Sequence, residues 1–265
     1  MLDVEFIQRT HVGRVRPHNE DYLDCALPRD AAEVRSHGWL MVLADGVGGH
    51  EAGEVASRVA VESILAGFRA GSDPQPHTAL LSRLVQGANS DVYETAHASG
   101  TPTGMATTVV ACAIRFASAV VAHVGDSRCY LIRGGYAKQL TGDHTLVAQQ
   151  MRLGLISEQE AAVSTQRHVL SRSLGNDLFV SVDTKLVELQ AGDVLLLCSD
   201  GLHGSVTPDE IAGIVTPSKD LAIAADELVA LANQKDGGDN ISVQLARMRS
   251  VERMGMYRGR PYKLY

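Results

Sequence analysis

The apolar positions change period several times along the chain. Residues 39–45, WLMVLAD, form a compact apolar run that stops at a turn signal, which predicts a buried strand. From Glu54 to Arg69, the residues Val55, Val59, Ile64, Leu65 and Phe68 recur at near-helical spacing. Leu80, Leu81, Leu84, Val85, Ala88, Val92 and Tyr93 repeat that pattern, and the polar, proline-punctuated SDPQPH separates the two predicted helices. The period then shortens to two. TTVVACAI, SAVVAHVG, RCYLIRGG and YAKQLT follow one another with turn residues between them, which predicts a β-meander. Residues 144–175 return to helix-like and irregular character. VDTKLVEL, VLLLCSD and ISVQLARM predict three more strands, the last two separated by helical stretches near 208–214 and 220–233. Blocks of strands interleaved with helix pairs predict an α+β layered fold rather than a doubly wound sheet. The strand pattern stops near Met248, which makes residues 1–248 one expected domain and 249–265 a tail.

Composition narrows the possible functions. With 265 residues, 45% hydrophobic and 21% charged, the chain has the make-up of an ordinary globular protein that buries a core without staples. A net charge of −7 argues against a protein that coats nucleic acid. No apolar run reaches the roughly 18–20 residues of a membrane span, and MLDVEFIQRTHVGR lacks the basic-then-apolar pattern of an export signal. Cys25, Cys112, Cys129 and Cys198 form no C-x-x-C pair, and three of them sit in apolar runs where a thiol acts as a small hydrophobe. A reducing cytoplasm is the expected compartment.

Four segments share one grammar: an apolar strand meets an aspartate in a glycine- or asparagine-containing turn. They are VLADG (Asp45), AHVGDS (Asp126), LLLCSDG (Asp200) and GGDN (Asp239), joined by Asn19, Glu20 and Asp21 near the N-terminus. Turns favour Asp, Asn and Gly on their own account. Strand after strand ending in a carboxylate is harder to ascribe to turn preference, because strands of one sheet bring their ends to one edge. A cluster of unpaired carboxylates needs cations. The all-oxygen donor set suits a hard ion, Mg²⁺ or Mn²⁺. The glycines at 46, 48 and 49 let backbone approach such an ion and a carbonyl bind it. Other phosphate chemistries lack their marks: no cysteine is followed by arginine six positions later, no lysine follows a glycine as in a Walker loop, and no H-E-x-x-H occurs. Two-metal hydrolysis remains, in which ions about 3.5–4 Å apart activate a water and neutralise phosphoryl charge.

At this point the motifs form a recognisable series. GRVRPHNED (13–21), LADGVGGHEAGEVAS (43–57), GMATTVV (104–110), HVGDSRCYLIRGG (123–135), LTGDHTLV (140–147), SRSLG (171–175), LLLCSDGLHGSVTPDEI (195–211) and GGDNISV (237–243) occur in family order. In these the chain resembles the protein phosphatase 2C family of metal-dependent Ser/Thr phosphatases, in its compact bacterial form. The resemblance implies a four-layer αββα sandwich, two antiparallel sheets flanked by helix pairs. It implies that Asp45 bridges two Mn²⁺ or Mg²⁺ ions, that Asp200 and Asp239 complete the first, and that the Gly46 carbonyl completes the second. Glu20 and Asp21 would act through water, and Asp126 with Asp200 matches the ligands of a third ion found in many members. Arg16 falls at the phosphate-binding arginine, and Asn240 supports the last ligand. The implied reaction is one-step attack of a metal-bridging hydroxide on phosphoSer or phosphoThr, opposing a cognate Ser/Thr kinase, in a monomer.

The chain departs from the family in three places. Some members place a histidine directly after the Asp-Gly pair; here Val47 follows, and His50 is the candidate general acid. In the flap-like segment 145–170, Ser164 and Thr165 stand where the family often has His-Pro, and His168 where it has Asn. The tail carries Arg249, Arg253, Arg258, Arg260 and Lys263 against Glu252 alone, interleaved with Tyr257, Tyr262 and Tyr265, which suits either a solvated tail or a docking segment for an acidic partner. A catalytically silent phosphoprotein sensor of the same fold is the alternative function, although silent members usually lose ligand aspartates. A metal-dependent nuclease or phosphodiesterase would need a basic groove.

Overall fold

In the computed structural model the described residues are 2–47, 51–71, 77–98, 105–252, 254–257 and 260–263. In chain order the strands are β1 (Asp3–His11), β2 (Asp21–Ala26), β3 (Trp39–Val47), β4 (Ala106–Thr107), β5 (Val109–Arg115), β6 (Ser118–Val124), β7 (Arg128–Arg133), β8 (Tyr136–Gln139), β9 (Asp183–Glu188), β10 (Val194–Cys198) and β11 (Ile241–Ser250). One sheet runs β1-β11-β10-β7-β8; the other runs β2-β3-β5-β6-β9, with β4 on the end of β3. Every pairing in both sheets is antiparallel. The helices are α1 (Ala31–Ser36), α2 (Glu51–Ala70), α3 (His77–Ala98), α4 (Leu146–Arg152), α5 (Glu158–Val163), α6 (Asp200–His203), α7 (Pro208–Val215) and α8 (Leu221–Lys235).

Alternation along the central strands explains the layering, because successive side chains of a strand point to opposite faces. On β3 and β5, Leu40, Val42, Val109 and Ala111 pack under α2 and α3 against Ala60, Ile64, Leu81 and Val85. Their neighbours Met41, Leu43, Val110 and Cys112 turn the other way and meet Leu195, Leu197 and Leu131 of the opposite sheet. Leu196, Cys198, Tyr130 and Val243 then form the third layer with Ile211 and Val215 of α7 and Leu228 of α8. Strands buried on both faces read as continuous apolar runs, so WLMVLAD and VLLLC were legible. Truncating one of these residues, such as the fully buried Leu197, would cost about 2–5 kcal/mol. The result is the expected αββα order. All four cysteines are free thiols, three of them buried.

The structure departs from the sequence reading in two ways. The run expected as one meander is two hairpins in different sheets, β5–β6 and β7–β8. The chain crosses the sandwich between Val124 and Arg128, through Gly125 at φ +104, a left-handed region that favours glycine, where a Cβ would also collide with the Thr108 side chain. A crossing turn and a hairpin turn carry the same local signal. Consequently the aspartates come from both sheets rather than from one. Separately, β11 runs past Met248 to Ser250, paired with Asp3, and Glu252 is buried. Beyond it, β12 (Met254–Tyr257) and β13 (Arg260–Lys263) pair with each other as a hairpin that the sequence pattern did not announce.

Candidate metal centre

The carboxylates converge at one end of the sandwich. Asp21 opens β2 and stands directly across from Asp45 near the end of β3. Like charges facing each other across an antiparallel pair are destabilising unless something neutralises them. From the other sheet, Asp200 follows β10 as the first residue of α6, and Asp239 precedes β11. Glycine brings these two loops together: a Cβ on Gly201 would collide with the Asn240 carbonyl. On the opposite side, a Cβ on Gly46 would collide with the Gly53 carbonyl at the start of α2. Asp126 lies on the sheet-to-sheet crossing.

Asn240 fastens the loop that carries Arg16 and Glu20. Its Nδ2 donates to the carbonyls of Val12 (2.8 Å) and His18 (2.9 Å), and its Oδ1 accepts from the Glu20 amide at 2.8 Å. Arg16 Nη2 donates to Asp239 Oδ2 at 2.7 Å. Both side chains are partly exposed, so this pair holds Arg16 at the cleft without locking it.

The electrostatics are those of too many negative charges in too little water. Burial pushes Asp126 up to about 7, with Asp200 and Asp143 adding to it. Burial does the same for Asp21, also to about 7, against the hydroxyls of Ser242 and Ser199. Asp45 is raised well above the carboxylate range by burial and then by Asp21, Asp200, Asp126 and Asp239. Burial also works against the charged Asp200, but His168 and the nearby His203 hold it below its ordinary value. Asp239 is raised by burial and by Asp200.

Within this cluster the buried oxygens Asp21 Oδ1 and Asp200 Oδ1 have no hydrogen-bond partner among the described residues. An orphaned buried carboxylate oxygen costs several kcal/mol unless a cation or donor reaches it. Carboxylates, a backbone carbonyl at Gly46 and the absence of thiolate form a donor set that fits a hard divalent ion. The tightest grouping of ligand-type side chains among the described residues is elsewhere: His123, His144 and Asp183, with donor atoms within 4.8 Å of one another. Its donors are already engaged. Gly125 N–H donates to His144 Nδ1 (3.1 Å), His144 Nε2–H donates to Asp183 (3.2 Å), and Arg172 holds the other Asp183 oxygen at 2.9 Å. The stacked His123 and His144 rings also aim their lone pairs along parallel planes rather than at one point.

Arg16, Glu20, Asp45, Gly46, Asp126, Asp200 and Asp239 all line one cleft of about 1030 Å³; Asp21 sits behind them, and Ser199 Oγ donates to its Oδ2 at 2.8 Å. His50, Gly48 and Gly49 lie outside the described residues. The fold also brings in several groups for which the sequence pattern carried no role. Arg128 makes a two-pronged pair with Asp143 (3.0 and 2.6 Å), tying the Asp126 crossing to the turn that leads into the flap. His203, pushed down to about 4 by burial, donates Nε2–H to the Asp126 carbonyl at 3.0 Å. His168 Nδ1 lies 3.7 Å from Asp200 Oδ2. The signals were present, as the arginine after GDS and the Asp-His pair of LTGDHT, but each partner is distant in sequence.

Comparison with known proteins finds relatives in both sequence and fold. The sequence model described as "Protein phosphatase 2C" matches residues 14–235. The serine/threonine phosphatase stp of Listeria innocua serovar 6a is 36% identical over 255 residues, covering 95% of this chain and 97% of that protein. The structure of the S. agalactiae serine/threonine phosphatase superposes with a TM-score of 0.85 at 31% identity, over 93% of this chain and 100% of that one. The catalytic domain of the phosphatase PstP, solved in complex with 2 manganese ions, gives a TM-score of 0.80 at 31% identity, over 93% of this chain and 99% of that one.

Proposed function

The chain belongs to the protein phosphatase 2C family, and on that footing we propose that its carboxylate cleft is the hydrolytic site. It is a metal-dependent serine/threonine protein phosphatase. The observation that carries the site assignment is the pair of buried oxygens on Asp21 and Asp200, unpartnered among the described residues, at and directly behind a cleft that also holds Arg16. In this reading Asp45, the Gly46 carbonyl, Asp200 and Asp239 would hold two Mn²⁺ or Mg²⁺ ions. Glu20 and Asp21 would act through water, and Asp126 with Asp200 would hold a third.

Bound divalent ions supply a water of lowered pKa and neutralise charge that develops on the phosphoryl group. The protein's own side chains do the positioning. Arg16 turns its guanidinium from Asp239 to the phosphoryl oxygens, for which its planar fork is suited. Asn240 keeps that arginine's loop in register with Asp239. Direct transfer to water without a phosphoenzyme is the course this reading assigns, and no cysteine is among the described residues that line the cleft. His50 is retained as donor of the leaving-group proton on its sequence position. The physiological setting we propose is a monomer in the cytoplasm, opposing a Ser/Thr kinase, with residues 1–248 as the catalytic domain and 249–265 as a basic, aromatic tail. No described helix is long and apolar enough to cross a membrane. The silent-sensor alternative is disfavoured because each expected ligand carboxylate is in the cleft or directly behind it.

The test is hydrolysis of p-nitrophenyl phosphate and of a phosphothreonine peptide with Mn²⁺, with EDTA, and by Asp200→Asn. Turnover should need the metal and collapse in the variant. Metal-independent turnover, or an unaffected variant, overturns the reading.

A further inference from the structure

The same cleft extends well beyond the carboxylates. At about 1030 Å³ it stands at the top of the range that encloses a drug-sized ligand, about 300–1,000 Å³, and a phosphoryl group occupies only one end. The other end is lined by the flap, with Val147, Ala148 and Met151 from α4, Ala161 from α5, and Leu170 beyond them. Val147 and Ala161 are buried and form its floor; Ala148, Met151 and Leu170 are half-buried and form its walls. Two alanines leave space, and an unbranched methionine adapts to what enters. The two ends of the flap are tied to each other and its helices are capped. Thr145 caps α4 and pairs with Leu170 by an isolated bridge, and Ser157 closes a capping box on α5. Its outer surface carries Leu153, Leu155 and Val163, each more than 60% exposed, so the apolar character continues past the mouth of the cleft.

Resting on the phosphatase reading, we infer that this arm is a subsite for an apolar side chain of the phosphopeptide, flanking the phosphorylated residue. The occupant follows from continuity: whatever chain presents its phosphate to Arg16 and the aspartates must leave through the remainder of the same cleft. That remainder presents these apolar walls, with Arg167 and His168 of the flap also lining the cleft. An apolar side chain gains against the five apolar residues, whereas a carboxylate placed against them would lose its water.

The experiment uses phosphothreonine peptides in a Gly/Ser background, with one Leu walked from three positions before the phosphothreonine to three after it. One placement should raise kcat/KM by about tenfold or more over the Leu-free peptide, mainly through KM, as expected for burying one leucine side chain. In Met151→Glu, and independently in Ala148→Glu, the ratio of kcat/KM between the best Leu peptide and the Leu-free peptide should fall to near one. The ratio cancels any change in the chemical step, and a melting curve checks that each variant is folded. Equal kcat/KM for every peptide, with metal-dependent hydrolysis of p-nitrophenyl phosphate intact, overturns the subsite and leaves the phosphatase reading standing. Absence of metal-dependent hydrolysis of either substrate overturns the phosphatase reading itself. A Leu preference that survives both variants places the leucine elsewhere and refutes the inference. So does a dimer in sedimentation that Met151→Glu dissociates, since that assigns the flap to a second copy.

Discussion

Replacing Asp126 by Asn should make the metal-free protein more stable while weakening its response to metal. Asp126 is buried on the crossing between the sheets, and its carboxyl is pushed up to about 7, first by burial and then by Asp200 and Asp143. In the unfolded chain an aspartate titrates near 3.9. The folded state therefore binds the proton more tightly, and stability falls as pH rises from the unfolded value through about 7. By pH 8 a displacement of about three pKa units corresponds to about 4 kcal/mol of unfavourable free energy in the absence of a cation. Water entry and relaxation reduce this to roughly half, about 2 kcal/mol, equivalent to roughly 4–8 °C in Tm for a chain of this size. Asparagine keeps the shape and removes the charge. In EDTA at pH 8, Asp126→Asn should melt several degrees above the wild type, and the gap should narrow at pH 6. In saturating Mn²⁺ the order should contract or reverse, because the wild type gains more from the ion. Thermal melts at two pH values with EDTA and Mn²⁺ supply all four numbers. Equal or lower Tm for the variant in EDTA at pH 8 would refute the claim that these carboxylates store unfavourable charge for a cation.

Arg16→Ala should raise KM for both small and peptide substrates with little change in kcat; a loss confined to kcat would contradict ground-state phosphate binding. Gly201→Ala must push the Asn240 carbonyl away, separating Asp200 from Asp239. It should weaken Mn²⁺ binding in calorimetry by about tenfold and cost about 1–3 kcal/mol in a denaturant titration. His77, pushed down to about 4 by burial and Arg115, stays neutral in the fold while the unfolded chain takes a proton below 6.5. Stability is thus lost as pH falls, by up to about 2 kcal/mol at pH 5, and His77→Gln should flatten that acid limb in urea titrations. Truncation after Glu252 should preserve p-nitrophenyl phosphate hydrolysis and Tm, because β11 and its buried neighbours stay whole; loss of either would make the β12–β13 hairpin part of the catalytic unit.

Some of this protein was set by the sequence alone. The buried strands, the two long helices α2 and α3, and the aspartates at strand ends follow from periods of two and 3.6 and from turn chemistry, all of which act within a few residues. Motif order extended that reading to the family. Pairings between distant segments needed the tertiary structure. Whether the turn at Gly125–Ser127 is a hairpin or a crossing depends on which sheet buries β7, and no pattern within the turn records it. The pairs Asp21 with Asp45, Arg128 with Asp143, and His168 with Asp200 depend likewise on which distant backbones the fold brings together. The apolar end of the cleft was equally hidden: Val147, Met151 and Leu170 lie in the stretch 144–175, which the sequence marks only as helix-like and irregular. Their importance arises because the fold leaves that side open to the cleft. Residue spacing fixes which face of an element is apolar, but only packing decides whether protein or a substrate covers it.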